Sequence, residues 1–118
     1  MKWQTTLISP GTIIFNAIER NDNTYFRIAL VVDPENRLIG TVTDGDVRRA
    51  LLRNIPLDAT VDKIMNTRPH TARQSEPWEI VRERLLSKSL RQVPIVDEHN
   101  RVLDLRVIDE TTAGVKPK

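Results

Sequence analysis

Apolar residues along this chain fall into two kinds of pattern. Ile28 to Val32 and Val93 to Val96 are almost continuously apolar, as expected of strands buried on both faces. Each run leads into a polar turn built on Asp and Asn and then into a second apolar stretch, which predicts two β-hairpins. Elsewhere the apolar positions recur at helical spacing: Ile14, Ala17 and Ile18; Val47, Ala50 and Leu51; Trp78, Val81 and Leu85. Ser9-Pro10 predicts an N-cap with proline at the first helical position, and Ser75-Glu76-Pro77 opens the third helix. The second helix should begin near Thr43. The segment from Asn54 to Pro69 is polar at its ends, with a short amphipathic turn at Val61, Ile64 and Met65, and Pro69 favours extended chain after it.

The two hairpins are copies of one another. At an offset of 64 residues, RIALVVDPENRLI (Arg27 to Ile39) lies over RQVPIVDEHNRVL (Arg91 to Leu103), with five of thirteen positions identical. Each half reads as an extended lead-in, helix, strand, turn, strand and helix. A half of about 50 residues is marginal alone, so the pair should fold as a unit by burying the two apolar faces together. The expected fold is α/β: repeat 1 over residues 1–55, a linker over 56–69, repeat 2 over 70–110, and a tail over 111–118. Thr111, Thr112, Gly114 and Pro117 make that tail a poor helix.

Composition narrows the function classes. The 118 residues are 39% hydrophobic and 29% charged, which suits a folded domain. Eighteen basic against 16 acidic residues leave a net charge of +2 without a basic cluster, a poor footprint for nucleic acid. The chain has no cysteine, which excludes disulfides and thiolate chemistry. No apolar run approaches the roughly 20 residues of a membrane span, and the polar start argues against a secretory signal. The expectation is a soluble cytoplasmic domain.

Candidate chemistry concentrates in Gly40-Thr41-Val42-Thr43-Asp44-Gly45-Asp46-Val47-Arg48-Arg49, where a strand runs into a helix N-terminus. Free N–H groups and the helix dipole suit a phosphate there. Thr43 could donate to a phosphate oxygen, Asp46 could accept both hydroxyls of a ribose, and Gly45 leaves room for close approach. Arg48 could neutralise the phosphate, while Arg49 should point to solvent. Arg27 and Arg91 precede matching strands and could reach a cleft. The competing reading is a capping box, since Thr43-x-x-Asp46 can bond itself and needs no ligand. His70 and His99 lie far apart with no cysteine, so no metal site is expected. No nucleophile–base or paired-carboxylate arrangement supports catalysis.

The motif Gly40-x-x-Thr43-x-x-Asp46 with Arg91-x-x-Pro94-Ile95-Val96-Asp97 resembles the CBS (cystathionine β-synthase) domain, which occurs as tandem pairs, and the likeness covers about residues 5 to 110. The LISPGT start, the IALVVD…LIGTVTDGDVRRALL block and DKIMN look more narrowly like the N-terminal CBS pair of bacterial sugar-phosphate nucleotidyltransferases. The resemblance implies two pseudo-twofold-related repeats of β-α-β-β-α type, packed through their sheets as one compact disc. It also implies a non-catalytic module taking an adenosine-type ligand: AMP, ADP, ATP or S-adenosylmethionine, none of them obligatory. Thr43 would meet phosphate, Asp46 ribose, and Thr71, Val93 and Ile95 the base. Family pairs often associate through their helices, so a homodimer is expected, as is a covalently attached catalytic domain. That domain's G-G-x-G-x-R-L loop is absent, and the chain reads as a regulatory half. In repeat 2 the glycine, threonine and aspartate positions hold Asp104, Val107 and Glu110, so only the Thr43/Asp46 side should be competent.

Overall fold

Both apolar runs become central strands. The computed structural model describes residues 2–22 and 26–108. In the first repeat β1 (Leu7–Ile8) pairs parallel with β2 (Ile28–Val32), which pairs antiparallel with β3 (Leu38–Thr43). Helix α1 (Ile14–Asp22) connects β1 to β2, and α2 (Asp44–Leu52) follows β3 directly. The second repeat contains α3 (Trp78–Ser87) and the antiparallel pair β4 (Gln92–Val96) and β5 (Val102–Val107). Its lead-in strand is reduced to one parallel bridge, Ala72 to Ile95, the counterpart of Ile8 to Val31. The cause lies at Pro94, which stands where the first repeat has Leu30, the partner of Leu7. A proline has no N–H to give to a ladder.

Strand alternation divides the interior into three layers. Ala29, Val31 and Val42 face Ile14, Ala17 and Val61 in the first repeat. Val93 and Ile95 face Val81 and Leu85 in the second. Between the sheets, Ile28, Leu30 and Leu38 meet Val96, Val102 and Leu105. The central strands are therefore apolar on both faces.

The turns themselves join the repeats. Asn36 Nδ2 donates to the Val102 carbonyl at 3.0 Å, and Asn100 Nδ2 donates to the Leu38 carbonyl at 2.7 Å. The backbones reciprocate, Leu38 N–H to Asn100 O at 2.9 Å and Val102 N–H to Asn36 O at 3.0 Å. Arg37 and Arg101 bridge each other at the centre of this exchange, where the pseudo-twofold axis passes. Both asparagines adopt left-handed backbone, φ 68° and 66°, a conformation that asparagine tolerates better than most residues. Asp33 shapes one turn by accepting from the Glu35 and Arg37 N–H groups and the Arg37 side chain, and Asp97 repeats this with His99 and Arg101.

One helix start differs from expectation. Helix α1 begins at Ile14, beyond Ser9-Pro10, because linker carbonyls satisfy its first donors: Ala59 O takes Ile14 N–H at 2.8 Å and Leu57 O takes Phe15 N–H at 3.0 Å. Ser9 instead pairs with Thr12 in a turn. Helix α3 has Pro77 as N-cap without a side-chain bond, while Glu76 accepts from Arg73 N–H and from Arg84. Helix α2 starts after Thr43 as expected, although Leu51 is half exposed while Val47 and Ala50 pack inward. The expected tail, 111–118, and Glu110 lie outside the described residues.

The linker also closes the open side of β3. Asn66 and Thr41 exchange two backbone bonds at 2.8 and 3.1 Å, which seats Met65 over Gly40. A Cβ on Gly40 would fall 2.6 Å from Met65 Sδ. At the equivalent place β5 has no such cover among the described residues, and the Leu105 N–H is taken by the neighbouring Asp104 carboxylate.

Three outcomes test this account. Asn36→Gly keeps the left-handed turn but deletes the cross-repeat bond, and should lower unfolding free energy by about 1 kcal/mol in urea denaturation. Gly40→Ala should cost about 1–3 kcal/mol by overpacking, and combining it with Met65→Ala should cost less than the sum of the two. The third concerns pH. Arg37 N–H and side-chain bonds lower the Asp33 carboxyl below the usual aspartate value, and Arg101 N–H, with His99 N–H, does the same for Asp97. A carboxyl depressed by folding stabilises above its unfolded pKa and loses that contribution as pH falls through the folded value. The urea midpoint should therefore drop below about pH 4. The drop between pH 7 and pH 3 should be smaller in the Asp33→Asn, Asp97→Asn double variant.

Candidate functional site

The first sheet ends by turning a strand into a helix at Thr43, and that corner faces the second repeat. Alternation puts Thr41 and Thr43 on one side of β3 and Val42 in the core. Across from them, β4 presents Gln92 and Pro94, while the linker brings Asn66, Pro69 and His70 to the rim. These surfaces bound a cleft of about 390 Å³ between the repeats, a size suited to a small organic ligand. Asp46 and Arg49 from α2 and Ser89, Leu90 and Arg91 from the α3–β4 turn complete the wall, with Ile28 at its apolar end.

At the corner, Thr43 and Asp46 form a full capping box. Asp46 Oδ2 accepts the Thr43 N–H at 2.9 Å and the Thr43 hydroxyl at 3.0 Å, and Thr43 Oγ1 accepts the Asp46 N–H at 3.5 Å. The other carboxylate oxygen, Oδ1, takes Arg49 Nη2 at 2.7 Å. The Asp46 side chain is only 10% exposed, and it borders both the cleft and a small recess beside Ala50, Arg53, Ile55 and Ile64. The capping reading of these residues thus holds in the ligand-free chain, and the same atoms line the cavity.

Of the residues singled out in the sequence, Thr43, Asp46 and Arg91 border the cleft. The others do not. Val93 and Ile95 point to α3 and are buried in the second core, because in β4 every second side chain changes face and Pro94 takes the cleft side. Thr71 is half-buried off the cleft, and its neighbour His70 lines it. Arg48 is exposed outside it. Arg49, three residues after Asp46 and hence on the same helix face, is the arginine of α2 that borders it. Arg27 sits in left-handed backbone, φ 58°, with its guanidinium 3.7 Å from exposed Asp44. Gly45 makes room for Arg49, whose Nη1 would lie 3.3 Å from a Cβ there. Counting alternation outward from Pro94, and helical spacing from Asp46, would have found Gln92 and Arg49. His70 and Asn66 carried no local signal.

Among the described residues, the equivalent location on the other side of the pseudo-axis is apolar. Leu105 and Val107 replace Thr41 and Thr43, and Phe26 and Ile28 replace Leu90 and Gln92. These four pack with Trp3 and Leu7 in the inter-repeat cluster. No group of three or more histidine or acidic side chains placed to hold a metal occurs among the described residues. No described helix is long and apolar enough to cross a membrane.

Comparison with known proteins agrees with this architecture. The CBS domain family model matches residues 4–53 and 61–105. An uncharacterized protein of Helicobacter pylori is 32% identical over 104 residues, 85% of this chain and 32% of that protein. A probable arabinose 5-phosphate isomerase of Haemophilus influenzae is 29% identical over 107 residues, 89% of this chain and 32% of that protein. The chain thus spans about a third of the length of these curated relatives. Among solved structures, a CBS domain pair in complex with 5′-methylthioadenosine and S-adenosyl-L-methionine superposes with a TM-score of 0.78 at 23% identity, covering 93% of this chain and 86% of that one. A CBS domain protein of Pyrobaculum aerophilum complexed with AMP gives 0.74 at 19% identity, covering 86% and 79%. With two copied hairpins crossing at Asn36 and Asn100 and a cleft between the repeats lined by Thr43, Asp46 and Arg91, the chain belongs to the CBS domain family as a tandem pair.

Proposed function

We propose that the cleft between the repeats binds an adenosine-type nucleotide and that occupancy regulates an attached catalytic domain. The observation that carries this reading is the convergence of Thr43 and Asp46, at the head of α2, with Arg91 of the other repeat around one cavity. A phosphate is suited to the helix N-terminus and the cationic Arg91, and ribose hydroxyls to the Asp46 carboxylate. The apolar end at Ile28 and Pro94, beside His70, suits a purine face. The adenosyl and AMP ligands of the structurally similar pairs support this choice. Thr43, Asp46 and Arg49 bond one another within the fold, which supports a regulatory rather than an obligatory ligand. Polar residues give way to apolar packing on the pseudo-equivalent side, which supports a single site per pair.

The length of the relatives supports an attached domain, and the sequence motifs favour a sugar-phosphate nucleotidyltransferase in a cytoplasmic setting. Regulation there is a population shift: the nucleotide acts only as far as it prefers one arrangement of the pair over another. A second reading, a ligand-free dimerisation module, is favoured by Phe15, Leu51, Leu52 and Ile80, which are about half or more exposed on the helices. Neither reading involves nucleic acid.

A thermal-shift series with AMP, ADP, ATP and S-adenosylmethionine separates the two. A ligand at about 100 times its Kd should add roughly 2.7 kcal/mol, and Asp46→Ala should abolish the response. No rise with any of these at millimolar concentration, together with a dimer by sedimentation, would leave the structural reading in place.

A further inference from the structure

Asp46 is the acceptor that the nucleotide reading assigns to a ribose, yet both of its oxygens are engaged. Oδ2 belongs to the cap and serves the helix itself. Oδ1 is held by Arg49, an i,i+3 pair whose arginine side chain is 59% exposed and so held weakly against solvent. Arg49 also stands between two spaces. On one flank is the cleft, and on the other a small recess lined by Ala50, Arg53, Ile55 and Ile64, and Asp46 borders both. Gly45 leaves the lane beside its guanidinium clear, since a Cβ there would lie 3.3 Å from Nη1 and 3.5 Å from Nη2.

We infer that Arg49 is an exchangeable occupant of the ribose acceptor and sets the discrimination between nucleotide and nucleoside. This exchange rests on the nucleotide reading of the cleft. Ribose hydroxyls take Oδ1 of Asp46 and displace the guanidinium, which turns across Gly45 to the ligand phosphate at the head of α2. A nucleotide replaces the lost ion pair with a new one. A nucleoside displaces the arginine and offers it nothing. Arg49 thus opposes the binding of adenosine and favours that of AMP, whereas a purely structural arginine would affect both alike.

Titration calorimetry of the wild-type chain and Arg49→Met with AMP and with adenosine tests the opposite signs. The variant should bind AMP about tenfold more weakly, the loss of one charge-assisted contact. It should bind adenosine about threefold more tightly, the release of one exposed ion pair. Arg49→Lys, which keeps the charge but not the forked geometry, should fall between. The melting temperature without ligand reports folding of each variant. Affinities that move in the same direction for both ligands, or do not move, overturn the exchange while leaving the nucleotide reading intact. Failure of the wild type to bind either ligand overturns that reading and this inference with it.

Discussion

The exchange of hydrogen bonds between the two hairpin turns is the contact on which the rest of the molecule depends. Asn36 and Asn100 each reach across to a carbonyl of the other repeat, and the adjoining backbones return the favour. These bonds fix the register of one sheet against the other at the pseudo-twofold axis. The apolar layer of Ile28, Leu30, Val96 and Leu105 supplies the attraction, but burial is non-directional and would tolerate sliding. Directional bonds at the axis remove that freedom. Once the sheets are fixed, the corner at Thr43 has only one place to face.

Around this symmetric centre the two halves diverge for local reasons. Pro94 in place of Leu30 weakens the lead-in strand of the second repeat, and the same proline presents a donor-free apolar surface to the cleft. The linker crosses only the first repeat, where it supplies carbonyls to α1, covers β3 through Asn66 and places His70 at the rim. On the opposite side Trp3, Leu7 and Phe26 close the equivalent space with apolar contacts. Among the described residues, one copied hairpin thus borders a cleft with Thr43 and Asp46 on its wall, and the other an apolar plug.

The cleft uses atoms that the fold already needs. Thr43 and Asp46 satisfy donors at the start of α2, so the residues that would recognise a ligand are held in position by the fold itself. Preorganisation of this kind lowers the ordering cost of binding. It also means that the same substitution can weaken the helix and the site, and only ligand-dependent measurements separate the two effects.

The repeat, the apolar strands, the turns built on Asp33 and Asp97, and the cap at Thr43 were all legible along the chain, because each depends on residues within a few positions of one another. Val93 and Ile95 were misplaced on the cleft side because alternation alone cannot say which face of a strand buried on both sides meets which neighbour. Arg48 was preferred to Arg49 for a similar reason: helical spacing from Asp46 identifies the face only once that face is known to look into the cleft. The start of α1 depends on linker contacts some 40 residues away along the chain, and the place of His70 on the pairing of Asn66 with Thr41, contacts for which no local pattern exists. The chain by itself therefore determined the two halves, their strands and the polar corner at Thr43 and Asp46. Which side chains share a cavity with that corner was decided by the packing of one repeat on the other, since only tertiary contact chooses between the two faces of a buried strand.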